Sequence, residues 1–343
     1  MNKPRKDNAL EIKHKCAQAL CNPFRTNAWV QAWLDTWGGD SRIELIDLGG
    51  AKKPLEILYR TKCKLKKILP VNTLALAGIG VASFHTPRSE YNNIDSIIAA
   101  AGGLTELAHV LGRIKWAQFS VSDIDEGGYS EQQLKSFKTE KGWRVSLVKS
   151  EQAYSISAVS VEQYRASLGV NTRAAYFNRR ARLAEHGEIE LCDMDTFNAH
   201  HFFEILNQFH ILRWGVPCYS NLSLAFLYNF IERLQGQGGR VILQLLKVSG
   251  QTVSALFDIE FAGVRYNLQS GYLENRFHKI ALGSIHFGYA IEAAIADGLI
   301  YDFMAGMGKY SNYKERVANR KMMLNSYMIT RGPLKTLYKL YGK

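Results

Sequence analysis

Cysteine is scarce in this sequence. The five residues, Cys16, Cys21, Cys63, Cys192 and Cys218, are odd in number and form no C-x-x-C pair, which argues against a disulfide framework and a zinc ribbon. The expectation is a reducing, cytosolic compartment. Long apolar runs are missing too: the longest, Leu69 to Phe84, is broken by Pro70, Asn72, Thr73 and several glycines, and the opening MNKPRKDNALEIKHK has no apolar core. Neither a signal peptide nor a spanning helix is therefore expected. The nine histidines include His200-His201 and His210 but no H-E-x-x-H or other ligand spacing, so no metal site is expected. Cys192 and Cys218 sit in apolar contexts without an adjacent histidine, which leaves a cysteine nucleophile unsupported. No short-period repeat is visible, and no helix-turn-helix, zinc or aromatic RNA-binding motif supports DNA as a partner.

Basic residues, in contrast, are in excess. Lys and Arg number 43 against 31 Asp and Glu, a net charge of +12, which points to an anionic partner such as a phosphorylated cofactor, a nucleic acid or an anionic membrane surface. The 343 residues suffice for two domains, and 47% hydrophobic with 22% charged residues is the composition of a folded protein. Thr26-Asn27-Ala28 starts an aromatic helix with Trp29, Trp33 and Trp37 on one face, a stripe better read as core than as a sugar platform. Strand-like runs at 43–48, 55–59, 116–120 and 143–148 surround a helical stretch at 94–111, giving a mixed first half. The pattern weakens over Lys149 to Ser160 and a helix opens at Val161, so a domain of residues 1–155 precedes one of 156–330, with a basic tail at 331–343. In the second domain the spacing predicts a basic helix from Thr172 to Glu185, helices at 196–213 and 222–235, and three strands at 241–248, 253–261 and 264–272. This order is an α+β layout.

The last hairpin can be read in register. A two-residue turn at Ala262-Gly263 sets Phe261 opposite Val264, Glu260 opposite Arg265 and Asp258 opposite Asn267, with Val253, Ala255, Phe257 and Ile259 on the core face. The acids then line the polar side, either as a cleft holding a general base or as a solvated face with a Glu260–Arg265 ion pair, the latter being favoured.

The stretch from Leu282 to Arg316 is the most informative. A helix beginning at Gly283-Ser284 presents free backbone N–H groups and a positive dipole end to a phosphate. Its small interior residues, Ala290, Ala293, Ala294 and Ala296, suit close packing on a sheet, and Gly298 ends it. A short strand carries Asp302 to its end, where a glycine-rich loop with Gly306 and Gly308 leads to Tyr313 and Lys314, the place where open α/β sheets bind ligands.

Taken together, RRARL, the Leu212-Arg213-Trp214 helix end, LQLLKVSGQTVSALFDIEFAGVRYNLQSGY, LGSIHFGYAIEAAIADGLIYDFMAG and YKERV resemble the FemAB-like branch of the GNAT acyltransferase superfamily. They are most similar to the acetyltransferase domain of CelD-like polysaccharide-biosynthesis proteins. The resemblance covers Val170 to about Val317, and NPFRTNAWVQAWLDTWGG is similar to the opening of such proteins. It implies an α/β sandwich of two tandem GNAT-like domains, each a central mixed sheet flanked by helices. It also implies transfer of an acyl group, from acyl-CoA or from charged tRNA, to an amine or hydroxyl of an envelope, polysaccharide or lipid precursor, or else a noncatalytic scaffold of a polysaccharide machine.

On that reading Gly283 and Ser284 hold a pyrophosphate and strand amides near Ser270-Gly271 face the thioester carbonyl. Asp302 or Asp258 accepts a proton, Tyr301, Tyr310 or Tyr313 protonates the leaving thiolate, and Lys314, Arg180 and Arg213 contact substrate phosphate. The family's phosphate signature, Gln or Arg two residues before Gly-x-Gly or Gly-x-Ala, is not intact here, and Tyr310-Ser311 competes with Tyr313-Lys314 for the matching position.

Arg173, Arg179, Arg180 and Arg182 share the predicted basic helix, either gripping phosphates or forming a solvated face, and Lys314 likewise reads as a phosphate ligand or a solvated loop lysine. Lysines of KCKLKK at 62–67 suit an edge strand. Arg331, Lys335, Lys339 and Lys343 recur every four residues in the tail, a stripe that fits an anionic membrane on the cytoplasmic side or the exposed face of a docked helix.

Overall fold

A computed structural model describes residues 22–50, 52–65, 68–81, 86–306 and 313–334. The described chain is α+β and forms two compact units. The first takes residues up to Gln152, Ala225–Arg233 and the chain from Met322 on; the second takes Ala153–Leu224 and Leu234–Lys321.

In the first unit, Thr26 caps helix α1 (Asn27–Trp37) by accepting the Trp29 N–H. The tryptophan stripe is core: Trp29 donates from its indole to Gly78 O at 2.8 Å and meets Phe226 and Phe230 edge-on. The following strands are β1 (Glu44–Asp47), β2 (Ile57–Leu65) and β3 (Leu69–Leu76), then helices α2 (Asp95–Ala101) and α3 (Leu104–Arg113), strand β4 (Gln118–Asp125) and helix α4 (Tyr129–Lys141). Strand β11 (Arg320–Thr330) closes the order β1-β2-β3-β4-β11, with β3 and β4 parallel and the other pairs antiparallel. Strand β2 keeps β1 beside it only over Ile57–Arg60, so Thr61 to Leu65 have β3 alone as a strand partner.

Strand β5 (Arg144–Ile156) runs straight through the segment whose sequence pattern weakens. Its last residues belong to the second unit, whose sheet order is β5-β10-β9-β8-β7-β6. Helix α5 (Val161–Ser167) opens on the Ser160 cap. The expected continuous helix from Thr172 to Glu185 is instead two short pieces, α6 (Val170–Arg173) and α7 (Arg180–Ala184), joined by a π-helical turn at Ala174–Asn178 in which Arg179 N–H reaches Ala174 O at 3.0 Å. Next come β6 (Ile189–Met194), α8 (Ala199–Trp214) and α9 (Asn221–Gln235), whose middle carries Phe226 and Phe230 into the first unit. Strands β7 (Arg240–Val248), β8 (Gln251–Phe261) and β9 (Val264–Tyr272) form the meander, followed by α10 (Leu282–Ala296), β10 (Ile300–Ala305) and α11 (Tyr313–Val317).

The hairpin register holds as read: Phe261 pairs Val264, Glu260 pairs Arg265 and Asp258 pairs Asn267. Helix α8 covers one face of the meander, where Phe203 packs edge-on to Phe257. Helix α10 covers the opposite face, burying Phe287, Ile291 and Ala294 with Leu256 and Tyr301. An apolar surface on every side of α10 fits a helix enclosed on both flanks.

Gly288 explains the π-turn. A Cβ there would lie 2.1 Å from Tyr176 O, so only glycine lets the turn's carbonyl come this close to α10. Gly288→Ala should therefore lower stability by about 1–3 kcal/mol, seen as a drop in the urea midpoint with an unchanged m-value.

Candidate functional site

Strands β9 and β10 part company in the second unit. They run parallel from Ile300 opposite Val264 to Asp302 opposite Tyr266, but β9 continues to Tyr272 while β10 ends at Ala305, its other edge pairing β5 through Tyr301–Ile156, Asp302–Ser155 and Ala305–Ala153. A bulge opposite Phe257 and Asp258 leaves Leu268 as the extra residue of β9 at the same level. Beyond this fork, among the described residues, the β10-facing edge of β9 has no strand beside it.

A buried polar cluster sits at the base of the fork. Asp258 is fully buried and accepts from Arg265 Nε at 2.7 Å and Asn267 Nδ2 at 2.8 Å, with the Tyr301 hydroxyl at 3.5 Å. Burial pushes its pKa up and Arg265 opposes that shift. Arg265 reaches Glu260 at 3.8 Å, so the expected ion pair exists but is secondary. The expectation that Asp258 lines a solvated polar face is corrected: α10 covers that face. With both oxygens committed to donors, Asp258 locks strands together and is not placed to take a proton from solvent. Tyr301, buried beside it, keeps its proton far above the ordinary range because of burial first and Asp258 second.

Asp302 is also buried, on the side of β10 opposite Tyr301, and Oδ1 accepts the Met304 N–H at 2.6 Å. Its carboxylate supports a kink where Met304 takes a positive φ of 59°. Lys314, read as a phosphate ligand or a solvated lysine, is buried and donates to the carbonyls of Phe303, Met304 and Ala305 at 2.7, 3.1 and 2.9 Å. An ammonium has three donors, so these bonds make it a clamp on the end of β10 and leave none for phosphate.

The residues that do converge lie where α10 begins. Ala281 precedes the helix without a side-chain cap, and the helical ladder opens with Ile285 N–H to Ala281 O at 3.1 Å, so the amides of Leu282, Gly283 and Ser284 are the turn's free donors. The Tyr272 ring lies on Gly283, where a Cβ would come within 2.6 Å of it. The Tyr176 hydroxyl, buried, lies beside Ser284 and makes no hydrogen bond of good geometry; burial keeps it protonated, reinforced by Tyr313. Tyr313 stacks on Phe287 at 5.8 Å, and burial, reinforced by Tyr272, raises its pKa, so it holds its proton and is not a ready source of protons. Arg213 stands over Tyr272 at 4.9 Å, held by Glu274 at 2.9 Å.

Arg180 is elsewhere. Its guanidinium lies 3.6 Å over Tyr289 and 2.5 Å from Glu292, which also binds Arg165. The Arg180 Nη2 also lies against Gly288, five residues along α10 from Gly283 and about 7.5 Å at the helical rise, so Arg180 stands roughly one turn beyond the helix start. Tyr310, Ser311 and Gly308 lie outside the described residues, as do Lys335, Lys339 and Lys343 of the tail. Arg331, at the tail's start, donates to Trp116 O at 2.7 Å.

On β9, Ser270 N–H is held by its neighbour Gln269 Oε1 at 3.0 Å, and Gly271 lets α8 approach, since a Cβ would stand 2.9 Å from Phe209. His210 on α8 lies 3.2 Å by Nε2 from Ser270 O. Donation from Nε2–H to that carbonyl leaves the lone pair on Nδ1. Burial lowers its pKa, partly offset by the Ser270 bond, so the ring is neutral near pH 7. His210 and Tyr176 were not read as site residues. For His210 the available signal was its place beside the inward Leu206 and Phe209; for Tyr176 there was none, because a π-turn shifts it off the helical pattern.

Asp258→Ala should destabilise the chain by about 3–5 kcal/mol, because Arg265 is left buried with only the more distant Glu260; a urea midpoint equal to that of the wild type would refute the structural assignment.

Residues 170–315 match the family model described as Acetyltransferase (GNAT) domain. Among solved structures, FemX has a TM-score of 0.55 and 12% identity, over 94% of this chain and 98% of FemX. A conserved protein of unknown function from Bacteroides thetaiotaomicron VPI-5482 has a TM-score of 0.50 and 10% identity, over 89% of this chain and 90% of that one. These likenesses concern the fold. A search of the curated proteins finds no match.

Proposed function

We propose that this chain, whose residues 170–315 match the GNAT acetyltransferase domain model and whose fold is similar to that of FemX, is an acyltransferase whose donor lies in the fork between β9 and β10. The observation that carries this reading is the uncapped start of α10 beside the buried Tyr176 hydroxyl, at the mouth of an edge of β9 that no strand of the described residues covers.

A coenzyme A thioester supplies an activated acyl group and a pyrophosphate. The amides of Leu282, Gly283 and Ser284 and the Tyr176 hydroxyl provide donors for the pyrophosphate, and the helix dipole adds to them. The free edge of β9 offers backbone groups to the amide-bearing arm of the donor. Ser270 N–H is the candidate donor to the acyl oxygen, released from Gln269 as the ligand enters. His210 Nδ1 accepts the proton of the attacking amine or hydroxyl, the new C–N or C–O bond forms as the C–S bond breaks, and the proton passes to the thiolate.

The acceptor proposed is an amine or hydroxyl of an envelope, polysaccharide or lipid precursor, reached from the cytoplasmic side where coenzyme A thioesters are made. The net charge of +12 also favours a second reading, in which the donor is charged tRNA.

Ser284→Glu places an acid where a helix start favours one but sets it against phosphate. Calorimetry should show acetyl-CoA binding weakened at least tenfold in this variant with the melting temperature preserved; wild-type protein that binds no acyl-CoA but binds charged tRNA in a strongly salt-dependent manner would move the donor to tRNA. His210 sets an acid limb in kcat/KM below the ordinary histidine value near 6.5, because protonation there removes the base. His210→Gln should abolish that limb and lower kcat about 10²–10⁴-fold, and a limb that survives the substitution would assign the base elsewhere.

A further inference from the structure

The end of α8 presents an unusual surface. Leu212 is 74% exposed, Val216 61% and Trp214 47%, and Ile211 and Leu222 beside them are exposed as well. Soluble surfaces carry single exposed apolar residues routinely, but five among the twelve residues 211–222 call for a partner.

This segment is held firmly at its root. Asn207 Nδ2 donates to Tyr219 O at 3.0 Å, Tyr219 N–H and Cys218 Sγ donate to Asn207 Oδ1 at 3.0 and 3.2 Å, and Tyr219 itself is buried against Phe203. Gly215 at φ 78° turns the chain and donates to Ile211 O at 2.9 Å. The apolar tips are thus displayed by an anchored loop, so seating them in an apolar phase orders no further backbone.

The neighbouring segment is basic. Arg213 binds Glu274 at 2.9 Å, and the chain that follows Glu274 exposes Arg276, His278 and Lys279. An aliphatic and tryptophan tip flanked by exposed cations matches the layers of an anionic bilayer: acyl chains, then the interface where tryptophan concentrates, then acidic headgroups.

We propose that Ile211, Leu212, Trp214, Val216 and Leu222 insert shallowly into an anionic lipid bilayer, with Arg276 and Lys279 on its headgroups. The contact is independent of the tail at 331–343 and of the donor chemistry. Because Arg213 also stands over Tyr272, the bilayer contact lies next to the proposed donor helix.

The test is co-sedimentation of the full chain with phosphatidylcholine vesicles containing or lacking phosphatidylglycerol, together with fluorescence quenching by brominated lipid. Trp214 is the exposed one of six tryptophans, so quenching reports on this loop. The wild type should sediment with anionic vesicles and be quenched. Leu212→Asp with Val216→Asp should bind at least tenfold more weakly at an unchanged melting temperature, and Arg276→Glu with Lys279→Glu should lose the preference for phosphatidylglycerol. The proposal is overturned if the wild type stays in the supernatant, if the double aspartate variant binds as the wild type does, or if light scattering shows a dimer that this variant dissolves.

Discussion

A single buried carboxylate organises the second unit. Asp258 gathers Arg265 and Asn267 from β9, with the Tyr301 hydroxyl of β10 alongside, at the level where those strands stop pairing. A lone ionised carboxylate in such a place would cost several kcal/mol, and a guanidinium with an amide repays that cost only in a fixed geometry. The cluster therefore ties the strands together below the bulge at Leu268 and leaves β9 without β10 above it.

Secondary supports follow from that opening. A strand end that leaves its neighbour exposes carbonyls, and Lys314 satisfies three of them at the end of β10. On β8, Ser254 donates to Gly271 O at 3.1 Å and accepts from His286 Nδ1 at 2.8 Å, which ties β9 to α10 on the side away from the opening. Burial, reinforced by Arg265, holds the His286 pKa at about 3, so the link is made by a neutral ring. Gly271 and Gly288 admit α8 and the π-turn at distances no side chain allows. Rigid walls around an open strand edge are what a site needs to align a thioester with a nucleophile.

Much of this was legible in the sequence, because local rules govern it. The Thr26 cap, the four-residue spacing of the tryptophans and the Ala262-Gly263 turn fix their own surroundings, and the hairpin register down to Asp258–Asn267 follows from the turn alone. The start of α10 and its stop before Gly298 were equally plain. What escaped depends on burial and on neighbours distant in sequence. Alternation places Asp258 on a polar face but cannot tell that α10 will cover it. Nothing local shows that Lys314 will turn back to the end of β10, or that Gly288 will permit a π-turn and so aim Tyr176 at Ser284. His210 gains meaning only from the Ser270 carbonyl, sixty residues away.

The most direct measurement of the central claim, that the fork is the donor groove, is residue-resolved amide hydrogen exchange with and without saturating coenzyme A. Added protection is expected at Leu282, Gly283 and Ser284 and along β9 from Leu268 to Gly271, with the Asp258 level of the sheet unchanged. Saturable binding that leaves both segments unprotected would contradict it.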